Sequence, residues 1–292
     1  MWHTITKAIS HITGVPFIAR TRQGLSGGCI NQAWLIGDGA RNYFVKLNQA
    51  PALPMFQAER AGLEAILDTK AIRTPTPLCH GVAGQQAFLV LEYIASGRSD
   101  NNSMTHFGRQ LAAMHRHTAT NYGWHIDNTI GSTPQINTPT NGWGHFWQQQ
   151  RIGLQLELAA RNGYRGNLQT QGVRLLEQIP LFFRDHQPPA SLLHGDLWSG
   201  NYFSDRTGMP VIFDPATYYG DRETDMAMTE LFGGFPPVFY HAYHEAWPLP
   251  DGYRQRQRLY NLYHLLNHLN LFGTSYLDQV RGSIDRLLSE LR

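Results

Sequence analysis

The segment His194-Gly195-Asp196-Leu197-Trp198-Ser199-Gly200-Asn201, followed after a short stretch by Val211-Ile212-Phe213-Asp214-Pro215, holds the side chains best suited to chemistry. A carboxylate such as Asp196 can orient an alcohol and accept its proton. Asn201, five positions on, and Asp214, at the end of an apolar run, offer hard oxygen donors of the kind magnesium prefers beside phosphate and water. Together they match the layout of phosphoryl transfer from ATP. Taken singly, each has a plainer reading. Asp196 would be a turn residue that caps local amides, and Asp214 a strand-end turn with Pro215. Their company favours chemistry.

Two oddly placed charges add to the set. Lys46 sits in the apolar run Tyr43-Phe44-Val45-Lys46-Leu47, and Glu59 lies on the Phe56, Leu63, Ile66 stripe of the next periodic segment. An unpaired charge at either place would be costly. Pairing Lys46 with Glu59 resolves both, and is the pair that holds the α- and β-phosphates in kinases. The plainer alternative is two snorkelling surface side chains. Gly24-Leu25-Ser26-Gly27-Gly28-Cys29-Ile30-Asn31 precedes the first apolar run, and its glycines would let backbone amides approach phosphates. Gly27, Gly28 and Cys29 are therefore nucleotide-loop candidates, although the spacing is not G-x-G-x-x-G. Glu92 and Tyr93 end a later apolar run, where backbone groups would meet an adenine. Trp198, two positions from Asp196, is the candidate to pack on a sugar-like substrate.

These residues need elements to position them. Residues 33–36, 43–47 and 87–93 read as strands, with Gly37-Asp38-Gly39 as a turn between the first two. Helical periodicity covers 55–68, 104–116, 143–162, 172–179, 224–232, 254–272 and 274–291. The polar stretch 95–103 reads as a linker. A small β-rich lobe, residues 1–94, for the nucleotide thus precedes a larger helical lobe, residues 95–292, for catalysis and substrate. Active sites commonly lie in clefts between two such lobes.

Composition excludes several classes. With 292 residues, 42% hydrophobic content and a net charge of +2, the chain suits a soluble globular protein with a sizeable core. No basic block suggests nucleic acid, and no stretch approaches the ~20 apolar residues of a membrane span. Cys29 and Cys79 are too few for a disulfide framework, the N-terminus lacks a secretory pattern, and a cytoplasmic location is expected. His264 and His268 have i, i+4 spacing but lack the Glu of a metalloprotease helix, and His115/His117 and His241/His244 lack a third ligand. Satisfied or exposed histidines are the expectation.

The assembled residues resemble the fructosamine kinase (ketosamine-3-kinase) family, relatives of aminoglycoside and choline phosphotransferases. The resemblance runs through His194–Asn201, Phe213-Asp214-Pro215-Ala216, Tyr219-Gly220-Asp221-Arg222-Glu223 and Glu230-Leu231-Phe232-Gly233-Gly234-Phe235. Upstream, residues 128–135 and 143–151 also fit. It implies an α+β, protein-kinase-like two-lobed fold with a small β-rich N-lobe and a larger, mainly helical C-lobe. It also implies ATP- and Mg2+-dependent phosphorylation of the sugar 3-hydroxyl of ketosamines such as fructosyl- or ribulosyl-lysine, free or protein-bound, in deglycation. Carried over by position, Asp196 would be the base and Asn201 and Asp214 the metal ligands. Lys46 and Glu59 would hold the phosphates, Trp198 would line the sugar site, and Asp225 would brace the catalytic loop. Cys29 admits redox cross-linking of two chains, though a plain loop residue is the leading reading. The chain could act as a monomer or a homodimer. Rival readings are a phosphotransferase for another alcohol, aminoglycoside- or choline-like, and a catalytically silent nucleotide-binding scaffold.

Overall fold

The computed structural model describes residues 1–25 and 30–290. Its N-terminal part is built on an antiparallel sheet between two helices. The elements are α1 (Trp2–Thr13), β1 (Thr21–Leu25), β2 (Gln32–Gly37), β3 (Asn42–Gln49), α2 (Leu53–Asp68), β4 (Pro77–Ala83) and β5 (Gln86–Glu92), with strand order β1-β2-β3-β5-β4. Alternation sorts the two faces. Phe88 and Val90 of β5 point with Val45 and Leu47 toward Ile5 and Ile9 of α1. Ala87, Leu89 and Leu91 point instead toward Phe56 and Leu63 of α2. Lys46 stands opposite Ala33 and Leu89 in the ladder, on the α2 face.

Helix α1 escapes the sequence reading because its stripe is narrow: only Ile5 and Ile9 are buried. Strand β1 escapes it too. Gly24 and Leu25 end this strand, so the glycine-rich segment follows a first strand rather than preceding one, and Gly27, Gly28 and Cys29 lie outside the described residues.

The C-terminal part is mainly helical. It runs through α3 (Asn101–His115), β6 (Thr118–Ala119), β7 (Asn128–Ile130), β8 (Thr133–Gln135), α4 (Trp143–Trp147), α5 (Leu154–Arg161) and α6 (Asn167–Gln178). Then come β9 (Ala190–Leu193), β10 (Tyr202–Ser204), β11 (Pro210–Ile212) and β12 (Tyr218–Gly220). Four helices finish it: α7 (Glu223–Leu231), α8 (Pro237–Ala246), α9 (Tyr253–Phe272) and α10 (Leu277–Glu290). Helix α3 starts inside the stretch read as a linker, because Asp100 and Ser103 form a reciprocal capping box. The long helix over 143–162 is interrupted by a π-helical segment, Gln148–Gly153. Buried Arg151 lies within it, donating to the Ile136 carbonyl at 2.7 Å and to Asn137 Oδ1 at 2.7 Å, with its guanidinium over the Tyr218 ring. Among the described residues no helix is long and apolar enough to cross a membrane.

The two lobes are strapped together where the chain passes between them. Arg73, just before β4, pairs with Glu92 at the end of β5 and with Asp205 at the β10–β11 hairpin. Its carbonyl accepts the Ile212 amide at 3.1 Å, while the Gly97 amide donates to Ser204 O at 2.7 Å.

Candidate active site

Strand β9 leads into the loop that carries Asp196. At Gly195 the backbone turns through φ +82°, and a Cβ there would drive into the Ala216 carbonyl. The buried Asp225 carboxylate, in the first turn of α7, accepts the amides of His194 at 2.7 Å and Gly195 at 2.8 Å, and lies 3.1 Å from His115 Nε2. Burial opposes its ionisation, but the hydrogen bond and charge of His115 and the loop amides hold its carboxyl below the usual range. His194 accepts the Asp196 amide at Nδ1, so its proton sits on Nε2 and is donated to Phe213 O at 2.8 Å. Burial keeps this imidazole neutral by lowering its pKa. One ring thus ties the Asp196 loop to the Asp214 loop.

The hairpin β10–β11 sets the second link. Tyr202 pairs with Ile212, and the Phe213 amide donates to Asn201 O at 3.1 Å, so Asn201 and Asp214 emerge side by side. Asn201 donates its amide N–H groups to Asp196 O at 2.8 Å and Oδ2 at 3.2 Å. That fixes which end of the amide is which and leaves its oxygen for another partner. Asp214 has φ +56°, a left-handed conformation rare outside glycine that turns the chain sharply after β11.

Lys46 Nζ lies 2.7 Å from Glu59 Oε1 and 2.5 Å from Asp214 Oδ1. Burial works against the ammonium, but the Asp214 and Glu59 charges outweigh it and raise its pKa. Burial pushes the Glu59 carboxyl up, Lys46 pulls it down and Asp214 pushes again, leaving it at about 7. Burial and the nearby Asp214 charge push Asp196 up to about 7 against the hydrogen bond from Asn201. One turn beyond Glu59, Gly62 lets α2 close on the other lobe: a Cβ there would lie 2.7 Å from Thr217 Oγ1 and 3.5 Å from Pro215.

Lys46, Glu59, Asp196, Trp198, Asn201 and Asp214 all line one cavity of about 460 Å3 between the lobes. Trp198 is 38% exposed, and its ring covers Gly200 so closely that a Cβ there would clash. Glu92 and Tyr93 do not line this cavity. The Glu92 carboxylate is committed to Arg73 and Thr76, and its backbone N–H donates to Thr76 O at 2.8 Å. Tyr93 is exposed.

Sequence reasoning missed the far wall of the cavity. His264, Asn267, His268 and Leu271 of α9 face it, together with Phe232, Phe272 and Tyr276. His268 packs against those three aromatic rings at centroid distances of 4.7, 5.3 and 5.1 Å. The i, i+4 spacing of His264 and His268 was the available signal, and it marks a cavity-lining helix face. His115 fits the expectation of a satisfied histidine, held by Tyr243 and Asp225. The one His/Asp/Glu cluster of metal-holding spacing among the described residues, His186, Asp221 and Glu223, is already occupied by protein partners. Arg256 takes both Glu223 oxygens at 2.7 and 2.8 Å, and Tyr260 donates to Asp221 at 2.6 Å.

This arrangement can orient an alcohol at Asp196, beside oxygen donors and a buried cation suited to phosphates. Comparison with known proteins agrees. The fructosamine kinase family model matches residues 1–290. A probable ketoamine kinase of Synechocystis sp. is 49% identical over 288 residues, spanning 98% of this chain and 97% of its own. The chloroplastic protein-ribulosamine 3-kinase of Arabidopsis thaliana is 41% identical over 271 residues, 92% of this chain and 82% of its own. Among solved structures, a Haemophilus somnus protein with a provisional fructosamine-3-kinase name superposes with a TM-score of 0.92 at 31% identity, covering 99% of this chain and 98% of that one. An aminoglycoside phosphotransferase in ternary complex with AMP-PNP and hygromycin B gives a TM-score of 0.65 at 15% identity, covering 98% of each chain, a likeness of fold alone. Matched from its first residue to its 290th, and identical to a probable ketoamine kinase at nearly half of the aligned positions, the chain belongs to the fructosamine kinase family.

Proposed function

We propose that this chain is an ATP-dependent ketosamine kinase that phosphorylates the sugar 3-hydroxyl of adducts such as ribulosyl- or fructosyl-lysine. The observation that carries this reading is the convergence of Asp196, Asn201, Asp214 and the Lys46–Glu59 pair on one interlobe cavity. Family membership and the names of the ketoamine and ribulosamine kinase relatives supply the substrate class. Asp196 aligns the acceptor hydroxyl and takes its proton, and Trp198 packs on the sugar. Lys46, held straight by Glu59, binds the α- and β-phosphates. Residues 1–94 serve the nucleotide, with the backbone at Glu92 and Tyr93 assigned to the adenine, and residues 95–292 serve the acceptor.

The donor set fits magnesium. The Asn201 amide oxygen is left over after its N–H groups are used, and the Asp214 carboxylate is 42% exposed to the cavity. These two residues would hold Mg2+, whose charge would neutralise the transferred phosphate. The product 3-phosphate is unstable, so the amine is regenerated and the role is deglycation. ATP supply suits a cytoplasmic enzyme.

Mass spectrometry of a glycated-lysine library incubated with enzyme and ATP tests the assignment. The expected result is a gain of one phosphate on ketosamine adducts and none on choline or kanamycin run alongside. Phosphate on choline or kanamycin only would overturn the substrate class. ATP consumption with no substrate in the panel would favour a silent nucleotide binder.

A further inference from the structure

Arg151 is wholly buried, yet among the described residues no carboxylate pairs with it. A cation without a counter-charge is costly to bury. The Phe146, Tyr218 and Tyr263 rings around the guanidinium offset part of that cost. Its place on a π-helical turn is unusual as well, since such turns are rare and frequently occur at functional sites. Arg151 nonetheless does not line the catalytic cavity. It stands instead at the head of a relay of side-chain amides.

Arg151 Nη2 donates to Asn137 Oδ1 at 2.7 Å. A guanidinium only donates, so Asn137 must turn its oxygen to Arg151 and its N–H groups the other way. They reach Ile126 O at 3.1 Å and Asn128 Oδ1 at 3.0 Å. Asn128 Oδ1 also accepts Gln135 Nε2 at 2.7 Å, so its own N–H groups face away, and Nδ2 donates to Thr217 O at 2.8 Å. Gln135 Nε2 meets Ala216 O at 3.1 Å as well, while the Tyr263 hydroxyl donates to Gln135 Oε1 at 2.7 Å. One direction of hydrogen bonding therefore runs from Arg151 to the backbone carbonyls of Ala216 and Thr217, just past Asp214. Asp214 stands at φ +56°, a conformation that persists only where its surroundings hold it. Before it, the Phe213 amide is fixed on Asn201 O; after it, the relay fixes Ala216 and Thr217.

Resting on the ketosamine kinase reading, we propose that Arg151 is a positioning residue for phosphoryl transfer. Through Asn137, Asn128 and Gln135 it sets the backbone that follows Asp214, and with it the stance of the Asp214 carboxylate as a metal ligand. Arg151 itself lies behind the cavity wall and touches neither nucleotide nor acceptor. Groups that orient a metal ligand from behind commonly change metal affinity or activity by about 10- to 100-fold. This role also accounts for two segments of the family pattern, residues 128–135 and 143–151: the first supplies Asn128 and Gln135, and the second ends on Arg151.

The direct readout is the Mn2+ affinity of the complex with AMP-PNP, followed through the electron paramagnetic resonance signal of the free ion. Arg151→Met keeps the bulk and removes the donors, whereas Arg151→Lys keeps a charged donor. Near-ultraviolet circular dichroism first establishes that each protein is folded at the assay temperature. Folded Arg151→Met is expected to bind Mn2+ about tenfold more weakly and to lose about tenfold in kcat. KM for ribulosyl-Nα-acetyl-lysine should stay put, and Arg151→Lys should recover most of both losses. In an Asp214→Ala background, Arg151→Met should bring no further loss of Mn2+ affinity, because the two residues act as one unit. Tyr263→Phe is a milder cut at the Gln135 end; it should weaken Mn2+ binding in the same direction, and it decides the matter if Arg151→Met does not fold. Parental Mn2+ affinity in the folded variant, a rise in acceptor KM alone, or additive losses with Asp214→Ala would overturn the proposal. Failure of the parent enzyme to bind Mn2+ with AMP-PNP would instead sink the kinase reading itself.

Discussion

Asp196 and His264 sit in the same cavity and carry opposite lessons. Asp196→Asn keeps the shape and the Asn201 contact but cannot take a proton. We expect kcat to fall about 10²- to 10⁴-fold, the usual contribution of a general base, with ATP affinity measured by calorimetry unchanged. His264 is buried, and its pKa is lowered to about 3 by burial and by neighbouring His268, with Arg151 adding to the fall and Asp225 opposing it. In the unfolded chain a histidine takes up a proton near pH 6.5, while the folded one stays neutral, so the unfolded state binds more protons between those values. Stability from this residue is therefore complete above about pH 6.5 and drains away as pH falls. By pH 5 the loss is about 2 kcal/mol. Denaturant titrations at pH 7 and pH 5 should show His264→Gln losing less stability than the parent by about that amount. The residues that meet at the cavity were legible because each breaks a local rule: Lys46 and Glu59 as charges in apolar stripes, Asp196 and Asn201 in a glycine-bearing loop. Glu92 broke no rule, and its side chain is spent on Arg73 and Thr76.

Elements place those residues through a few close approaches. Helix α2 reaches the C-terminal lobe because Gly62 has no side chain, and a methyl group there must displace Thr217. Gly62→Ala is expected to cost about 1–3 kcal/mol as overpacking. It should raise KM for ATP more than KM for the ketosamine, since Glu59 rides on the same helix; equal shifts in both would argue against that coupling. Regular periodicity made α2, α3, α7 and α9 visible to within a few residues. Other elements were hidden for physical reasons. Strands β6, β7 and β8 are two or three residues long, too short to display an alternation. The π-helical stretch around Arg151 is rich in Gln and Arg, residues at home in an α-helix, and differs from one in hydrogen-bond register. Helix α8 starts at Pro237 and buries only Phe239, Ala242 and Tyr243.

At the scale of the whole molecule, two kinds of ionic contact do different work. The exposed Arg73 side chain spans the lobes, and such partly solvated pairs contribute little net stability. Arg256 and Glu223 are both buried, with two hydrogen bonds between them. Arg256→Ala strands the carboxylate, and we expect a loss of about 3–5 kcal/mol in urea unfolding, with Glu223→Gln/Arg256→Met recovering part of it. The docked α2 helix has a broader consequence. Kinases that swing the corresponding helix outward gain an off state. In this fold that swing would pull Gly62 from its seat against Thr217 and leave Lys46 and Glu59 without each other. The lysine–glutamate pair and the seat of the helix on the larger lobe therefore form and break together.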